Sequence, residues 1–515
     1  MKRLLLVLAF AVAAPLSLCA EQWQILGTRP MGMGGAFVAV AQGPIAQYWN
    51  PAGLVKSSAN VSGMEIPVGV NAEFTGDIVK NASQITDMAS KFSSLQSAQK
   101  NGTTPMNADQ LAAFAKTVSL MSDMNEPGKG ALVEVAGGVN FKFSKVALSV
   151  NNFTSLGLNP YIDTTNIGLG ADAGVSGINM SGVVTTNPAD TTTRNTIQGA
   201  ITAMGGYTAI QTLICGSAGT CLTGNGINSD LLLANALYNQ AATSGQSAAQ
   251  ITEAANTMSQ YASQVAPLIT AANSGNTYAN NTSNLTVTGA AFTEVAAGYA
   301  WSVDKWLSGL SVGGNVKMIN GQTVSNNFKF LSESKTGDAF KMDNPKSSWR
   351  PALDLGVLWN VNAKYPRIPL HPRVGLVMRN INSPSFDTTL GPKYDLDRQV
   401  RLGFALNPAR FWTLALDMDV TKNKTPVKGF DSRELSMGTE INIFNRKAFN
   451  IPLRAGLIKN MAEKSSKMAY TVGTGINLLF MHFDVSGVVS SERTKLDDKD
   501  IPTKLGAAAS FGLLF

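Results

Sequence analysis

The sequence is short of charge, of histidine and of cysteine. Asp, Glu, Lys and Arg make up 15% of its 515 residues, against about 25% in an average soluble domain. Its hydrophobic content is 44%, so it is not a disordered chain, which would combine low hydrophobicity with high net charge. No basic cluster stands out and the formal charge is +7, so no nucleic-acid partner is expected. Two histidines, His371 and His482, and three cysteines give no zinc-ligand spacing, and no metal or cofactor is expected. After the N-terminus, no uncharged apolar run approaches the roughly 18–20 residues of a spanning helix. A large globular protein or a β-barrel remains. The 48 glycines, with abundant Asn, Ser and Thr, lean toward β.

What is present begins with a targeting segment. Lys2 and Arg3 form a charged start, Leu4 to Leu18 are almost wholly apolar, and Ala20 suits a cleavage site. Leu18 is too large for a lipoprotein signal at Cys19. Residues 1–20 are therefore read as a removable signal peptide, with the mature chain starting near Glu21. Export permits disulfides. Cys215 and Cys221, separated by Gly-Ser-Ala-Gly-Thr, are expected to form a local one, the alternative being a pair of free thiols.

From Lys129 onward the dominant period is two. Trp412, Leu414, Leu416, Met418 and Val420 oppose Thr413, Asp417, Asp419 and Thr421, and similar alternation recurs. About fourteen such segments lie near 60–72, 130–143, 145–158, 284–301, 308–322, 348–362, 370–382, 398–407, 411–422, 433–444, 450–460, 468–480, 481–491 and 503–515. Most run ten residues or more. Soluble sheets average about 5–6, whereas a tilted strand crossing a bilayer needs about 9–11. Short connections, as at Ser144-Lys145 and 407–410, alternate with long ones, as an outer-membrane barrel distributes its periplasmic and extracellular ends. The fold expected is all-β: a 14-stranded antiparallel transmembrane barrel. Its polar face carries Asp354, Arg401, Asp417, Asp419, Glu440, Arg454 and Asp484. A Lys or Arg facing lipid at the midplane would cost about 2–4 kcal/mol. These residues should therefore face the lumen and pair with one another or with a plug. The last segment places Phe511, Leu513 and Phe515 on alternate positions. It resembles the signal read by barrel assembly machinery, an expected partner alongside outer-membrane lipid and lipopolysaccharide.

Two insertions carry helical periodicity. Residues 73–129 show it at 82–95 and 108–121, with Asn107 as a cap. Residues 159–283 show it near 228–240 and 246–267. The flanks Thr185–Asn195 and Asn273–Asn284 are rich in Asn, Thr, Ser and Gly and are expected to be mobile. Both insertions are expected as extracellular caps whose apolar stripes pack on each other.

The most specific stretch is Gly27-Thr28-Arg29-Pro30-Met31-Gly32-Met33-Gly34-Gly35-Ala36-Phe37-Val38-Ala39-Val40-Ala41, followed by Asn50-Pro51-Ala52. A dinucleotide fingerprint fails, because Phe37 stands where the last glycine belongs and no βαβ unit surrounds it. The stretch resembles the N-terminus of the FadL/TodX/OMPP1 superfamily of outer-membrane proteins, including its TraF-like, conjugal-transfer branch. The resemblance implies a fourteen-stranded barrel, residues 57–515, plugged by a hatch at residues 21–56. It implies gating roles for Gly32, Gly34, Gly35, Asn50, Pro51 and Ala52. It also implies passive uptake of a small hydrophobic ligand, fatty-acid or hydrocarbon-like. The alternative is a structural, secretion or conjugation accessory barrel of the TraF-like type, with an exported protein partner on 159–283. An enzyme is not expected. A barrel lipase needs a paired Ser and His, and neither His371 nor His482 is followed two residues on by a serine.

Overall fold

The computed structural model describes residues 20–55, 62–80, 105–163, 166, 180–215, 219–272, 282–329, 346–388, 393–444, 448–496 and 499–514. The leader 1–19, the helix expected at 82–95 and Phe515 lie outside these residues.

Among the described residues, fourteen strands close into an antiparallel barrel. In chain order they are β1 Ser62–Thr75, β2 Gly130–Phe143, β3 Val146–Tyr161, β4 Asn284–Ser302, β5 Leu310–Lys329, β6 Lys346–Asn360 and β7 Arg373–Arg379. The second half is β8 Gln399–Ala409, β9 Trp412–Asp419, β10 Glu434–Ile443, β11 Phe449–Asn460, β12 Ala469–Leu478, β13 Met481–Ser490 and β14 Lys504–Leu514. Each pairs with its chain neighbours, and β14 returns to β1 in the register Gly63↔Leu514 to Glu73↔Lys504. The fourteen alternating segments of the sequence are these strands.

The burial pattern reverses that of a soluble sandwich. On β13, Phe483 is 55% exposed while its neighbour Asp484 is 4% exposed. Val68, Val316, Leu355 and Val472 are exposed, whereas Glu65, Lys317, Asp354 and Thr471 are buried. Water on the outside would penalise this arrangement at every strand, so the apolar face is suited to acyl chains. Exposed aromatics crowd the rim with the short turns: Phe143, Trp301, Trp306, Phe411, Phe444 and Phe480. Such a girdle marks a bilayer–water boundary. Among the described residues no helix is long and apolar enough to cross a membrane.

Inside the barrel sits residues 22–55. Two short helices, α1 Thr28–Gly32 and α2 Ala46–Trp49, and a 3₁₀ turn Pro51–Val55 fold around Trp23, Leu26, Phe37 and Trp49. The Tyr48 hydroxyl donates to the Gln24 carbonyl at 2.6 Å and Trp49 Nε1 to that of Leu26 at 2.9 Å.

At the long-loop end stands a helical unit: α3 Ala108–Met124, α4 Thr191–Ala203, α5 Gly206–Cys215, α6 Asp230–Thr243 and α7 Ala248–Ala272. Phe114, Ile201, Leu213, Leu237 and Met258 share one core. Asn107 and Gln110 form a reciprocal capping box at the start of α3. Cys215 and Cys221 are disulfide-bonded, with Cα atoms 5.7 Å apart. Within the flank Thr185–Asn195, α4 begins at Thr191, and Asp190 accepts from Thr193 N at 2.9 Å. Three consecutive threonines read locally as coil. The cap and the buried stripe Ile197, Ala200 and Ile201 override them.

Candidate functional site: the hatch and the lumen

The lumen face of the wall is largely polar, and only scattered side chains such as Phe153, Val377 and Ile458 join the hatch's apolar core, with the Tyr48 and Phe153 rings stacked 5.0 Å apart. The hatch uses three further devices.

The first is glycine against backbone. Gly34 and Gly35 have φ of +65° and +82°, a turn that L side chains rarely enter. A Cβ on Gly34 would also stand 2.7 Å from the Leu457 and Met437 carbonyl oxygens. The wall answers with glycines of its own. A Cβ on Gly438 would strike the Met33 carbonyl, and one on Gly456 the Gly34 nitrogen. Gly438 and Gly456 are register partners on β10 and β11, and a Cβ on Gly473 of β12 would stand 3.1 Å from the Gly32 Cα. Farther round, the partners Gly403 and Gly375 meet Val38 and Ala39. The partners Gly313 and Gly356 meet Asn50, Pro51 and Ala52. Glycine inside a strand weakens it unless another backbone must come close. Here a belt of inward glycines traces the hatch. Sequence reasoning missed it, although the signal was there: glycines on the lumen-facing parity of successive strands.

The second device is side chain against hatch backbone. The Asp417 carboxylate accepts from Phe37 N at 2.7 Å and Val38 N at 2.8 Å. Asn50 donates to the Val38 carbonyl at 3.2 Å and to the Val357 carbonyl of the wall at 3.1 Å, and accepts from Ala52 N at 3.1 Å. Asn315 Nδ2 donates to the Gln47 carbonyl at 2.9 Å, and the Thr471 hydroxyl to that of Gly32 at 3.1 Å.

The third is charge. Arg29 grips Glu440 with two hydrogen bonds of 2.8 Å. Glu440 also takes Arg454 at 2.8 Å, and Arg454 reaches Asp484 at 2.6 Å. Arg401, fully buried, pairs with Asp419 at 2.6 Å and Glu434 at 3.3 Å. Asp354 pairs with Lys317 at 3.0 Å, and Lys317 with Glu294 at 3.3 Å. Arg379 holds the same Glu294 at 3.0 Å. Two of these arginines also clamp the hatch aromatics: Arg379 lies 4.0 Å from the Tyr48 ring centroid and Arg401 4.8 Å from that of Trp23. All seven lumen charges named from the sequence are thus inward and buried. The structure joins them into separate groups: Arg454 with Glu440 and Asp484, Arg401 with Asp419, Asp417 on the hatch backbone and Asp354 on Lys317. Glu294, Lys317, Arg379 and Glu434 belong with them and were missed, Glu434 although it shares the lumen-facing parity of Glu440 on β10. Phe511 and Leu513 occupy the outward face of β14.

Both mouths are distinctive. At the long-loop end, residues 420–433 leave β9 and reach β2 and β3, on the opposite side of the closed wall. Asn159 Nδ2 donates to the Pro426 carbonyl at 2.9 Å, and Val427 and Phe430 pack on Leu132. Ala20–Glu21 pair in parallel with Asn423–Lys424 beneath this strap. At the short-turn end, below the hatch, lies a cavity of about 790 Å³. His482, placed on the lumen face by the sequence, lines it, as does His371.

Among the described residues the wall is closed, with three interruptions of its ladders, one of them a register shift between Leu406 and Ala409 where β8 meets β9. Between β1 and β2 the pairing runs to Glu65↔Asn140 and resumes at Val68↔Gly137, skipping Ile66 and Pro67. Pro67 lacks an N–H, and Gly137 and Gly138 across from it lack side chains. The hatch abuts this stretch, Met31 Cε lying 3.8 Å from a Cβ built on Gly69. Between β11 and β12 the ladder likewise skips Ile451 and Pro452.

Among solved structures, the chain resembles the Pseudomonas putida toluene transporter TodX with 10% identity, covering 96% of this chain and 100% of that one, at a TM-score of 0.41. The CymD monoaromatic hydrocarbon channel gives 10%, 96%, 99% and 0.41 on the same measures. A Pseudomonas aeruginosa FadL homologue gives 8%, 96%, 99% and 0.37. No curated protein sequence matches. A family model matches residues 47–419, well over half of the 515-residue chain, and the protein belongs to that family, described as F plasmid transfer operon, TraF, protein.

Proposed function

We propose that the protein resides in the outer membrane as a plugged barrel and serves as a hatch-gated route for passive uptake of small hydrophobic compounds, fatty-acid or hydrocarbon-like. The apolar exterior and the aromatic rim support the membrane placement. The observation that carries the uptake reading is the unpaired stretch at Pro67, opposite Gly137–Gly138 and beside the hatch. A solute released there would leave through the wall into hydrocarbon rather than down the polar lumen. Such a route avoids both the desolvated charges and the water-filled vestibule. Retreat of α1 from β1 would uncover the seam.

The experiment closes the seam. Ile66 and Val139 face one another across it. Cells carrying Ile66→Cys with Val139→Cys should lose uptake of a fluorescent fatty acid or of toluene when oxidised, and regain it on reduction. A strain lacking the whole gene should also show slower uptake. Unchanged uptake of every apolar probe in that strain would end the proposal.

A second reading is favoured by the helical unit, which buries a core of its own at the long-loop end, and by the family's description. The barrel would then be a docking platform in export or conjugation, with an exported protein on 159–283. Deleting 159–283 should abolish transfer of a conjugative plasmid while leaving probe uptake intact.

A further inference from the structure

The polar vestibule under the hatch holds a cation that the protein does not neutralise. Arg373, the first residue of β7, is 8% exposed. Its hydrogen bond is to a neutral group: Nη2 donates to Asn407 Oδ1 at 2.6 Å. Its Nε is buried and has no partner. No carboxylate among the described residues forms an ion pair with it. This separates it from the other arginines of the lumen, for Arg29, Arg379, Arg401 and Arg454 each hold at least one acid. A buried charge without a counter-ion is costly, and the usual remedy is pairing.

The remedy is not supplied by the neighbours. Glu440 and Asp484 line the same cavity, but Glu440 is engaged by Arg29 and Arg454, and Asp484 by Arg454. Glu65, the remaining acid of the lining, stands on β1, six strands round the wall from β7. Lys142 and Arg410 also line the space, so its cations outnumber its acids by five to three. Asn407 holds the Arg373 guanidinium through Nη2, and Arg373 lines the open volume. A fixed planar fork suits an oxyanion, which takes two parallel N–H donors. At about 790 Å³, the room fits a small molecule.

We propose that this vestibule is a binding site for a small oxyanion, a carboxylate or a phosphate, seated on Arg373 and oriented through Asn407. The site lies on the short-turn side of the hatch, and its occupancy is independent of whether apolar solutes leave through the wall. Arg29, the hatch's own ion-pair residue, lines the same space.

The test uses the full chain in detergent micelles, with malate and inorganic phosphate as probes and the neutral diamide of malic acid as control, read by titration calorimetry. Wild type should bind malate or phosphate and not the diamide. The stronger of the two identifies the anion source. Arg373→Gln should weaken binding at least tenfold. Arg373→Lys keeps the charge and loses the fork, and should fall between. Asn407→Ala, which leaves the arginine in place, should weaken binding a few-fold and guards against a folding defect in Arg373→Gln. Heat-modifiable gel mobility verifies the closed barrel in each variant. Absence of binding by both anions in wild type, equal binding by the diamide, or full binding by folded Arg373→Gln would overturn the proposal.

Discussion

The hatch and the helical unit are both compact pieces of chain added to the same barrel, and they are held by opposite means. The helical unit follows the rule of water-soluble proteins. Amphipathic helices turn Ile201, Leu237 and Met258 inward and leave polar faces outside. The hatch lives in an inverted environment, where the surrounding wall is polar because its other face must meet lipid. It keeps an aromatic core of its own, which the wall joins only through scattered side chains such as Phe153, Val377 and Ile458. Much of the attachment falls to glycine–backbone contacts, carboxylate-to-amide hydrogen bonds and ion pairs. A hydrophobic core holds without regard to direction. The hatch's contacts are directional, and each can be removed by one substitution.

The largest break should come from charge. Arg401→Met removes the partner of both Asp419 and Glu434 in a fully buried place. Breaking one side of a buried pair costs about 3–5 kcal/mol. The hatch should become susceptible to protease at residues 21–55 while the barrel keeps its heat-modifiable mobility, and planar-bilayer recordings should show open events absent from wild type. Intact protection of the hatch would mean that the wall ion pairs do not hold it.

Next in size is the glycine belt. Gly456→Val places a side chain against the Gly34 nitrogen and the Met33 carbonyl carbon, both backbone atoms that cannot swing away. Overpacking of this kind costs roughly 1–3 kcal/mol or more. The same protease assay should register a released hatch. Gly487→Val is the control: a Cβ there meets only the Gly506 carbonyl oxygen at 3.5 Å, and the hatch should remain seated. Asp417→Asn follows. It keeps the shape but replaces a charged acceptor for Phe37 N and Val38 N with a neutral one. The loss expected is about 1 kcal/mol, the difference between charge-assisted and neutral bonds.

These positions also show what the sequence could disclose. Strand count, order and facing followed from period two, because lipid and lumen impose it on every strand. The inward charges followed from the same parity. The partners did not: Glu440 meets Arg29 across 411 residues of chain, and nothing in local pattern specifies that encounter. Arg373 was passed over because its place in the wall is ordinary, and only its lack of an ion-pair partner among the described residues makes it notable. The helical unit was half legible. α6 and α7 have long periodic stripes, whereas α4 starts in a threonine run that reads as coil until the Asp190 cap is weighed.

The smallest effects on the hatch should come from changes in the helical unit, which makes it the sharper half of the comparison. Cys215→Ala with Cys221→Ala opens a loop of sequence separation 6. A crosslink of that length stabilises by about 2 kcal/mol, so the unit's melting should shift down while the hatch stays protected. Asp190→Ala removes the α4 cap and should lower that melting less. Its pH dependence has a definite sign. The Thr193 hydroxyl and backbone N–H bind the carboxylate of Asp190 and hold its pKa below the usual Asp range. The cap's contribution is therefore complete above the unfolded value of about 3.9 and fades as pH falls through the lower, folded value. Wild type and Asp190→Ala should differ in helical melting at neutral pH and converge in acid. The hatch, anchored elsewhere, should report no difference between them at any pH. A hatch that loosened with the cap would show that the two regions share a cooperative unit, and the contrast between them would fail.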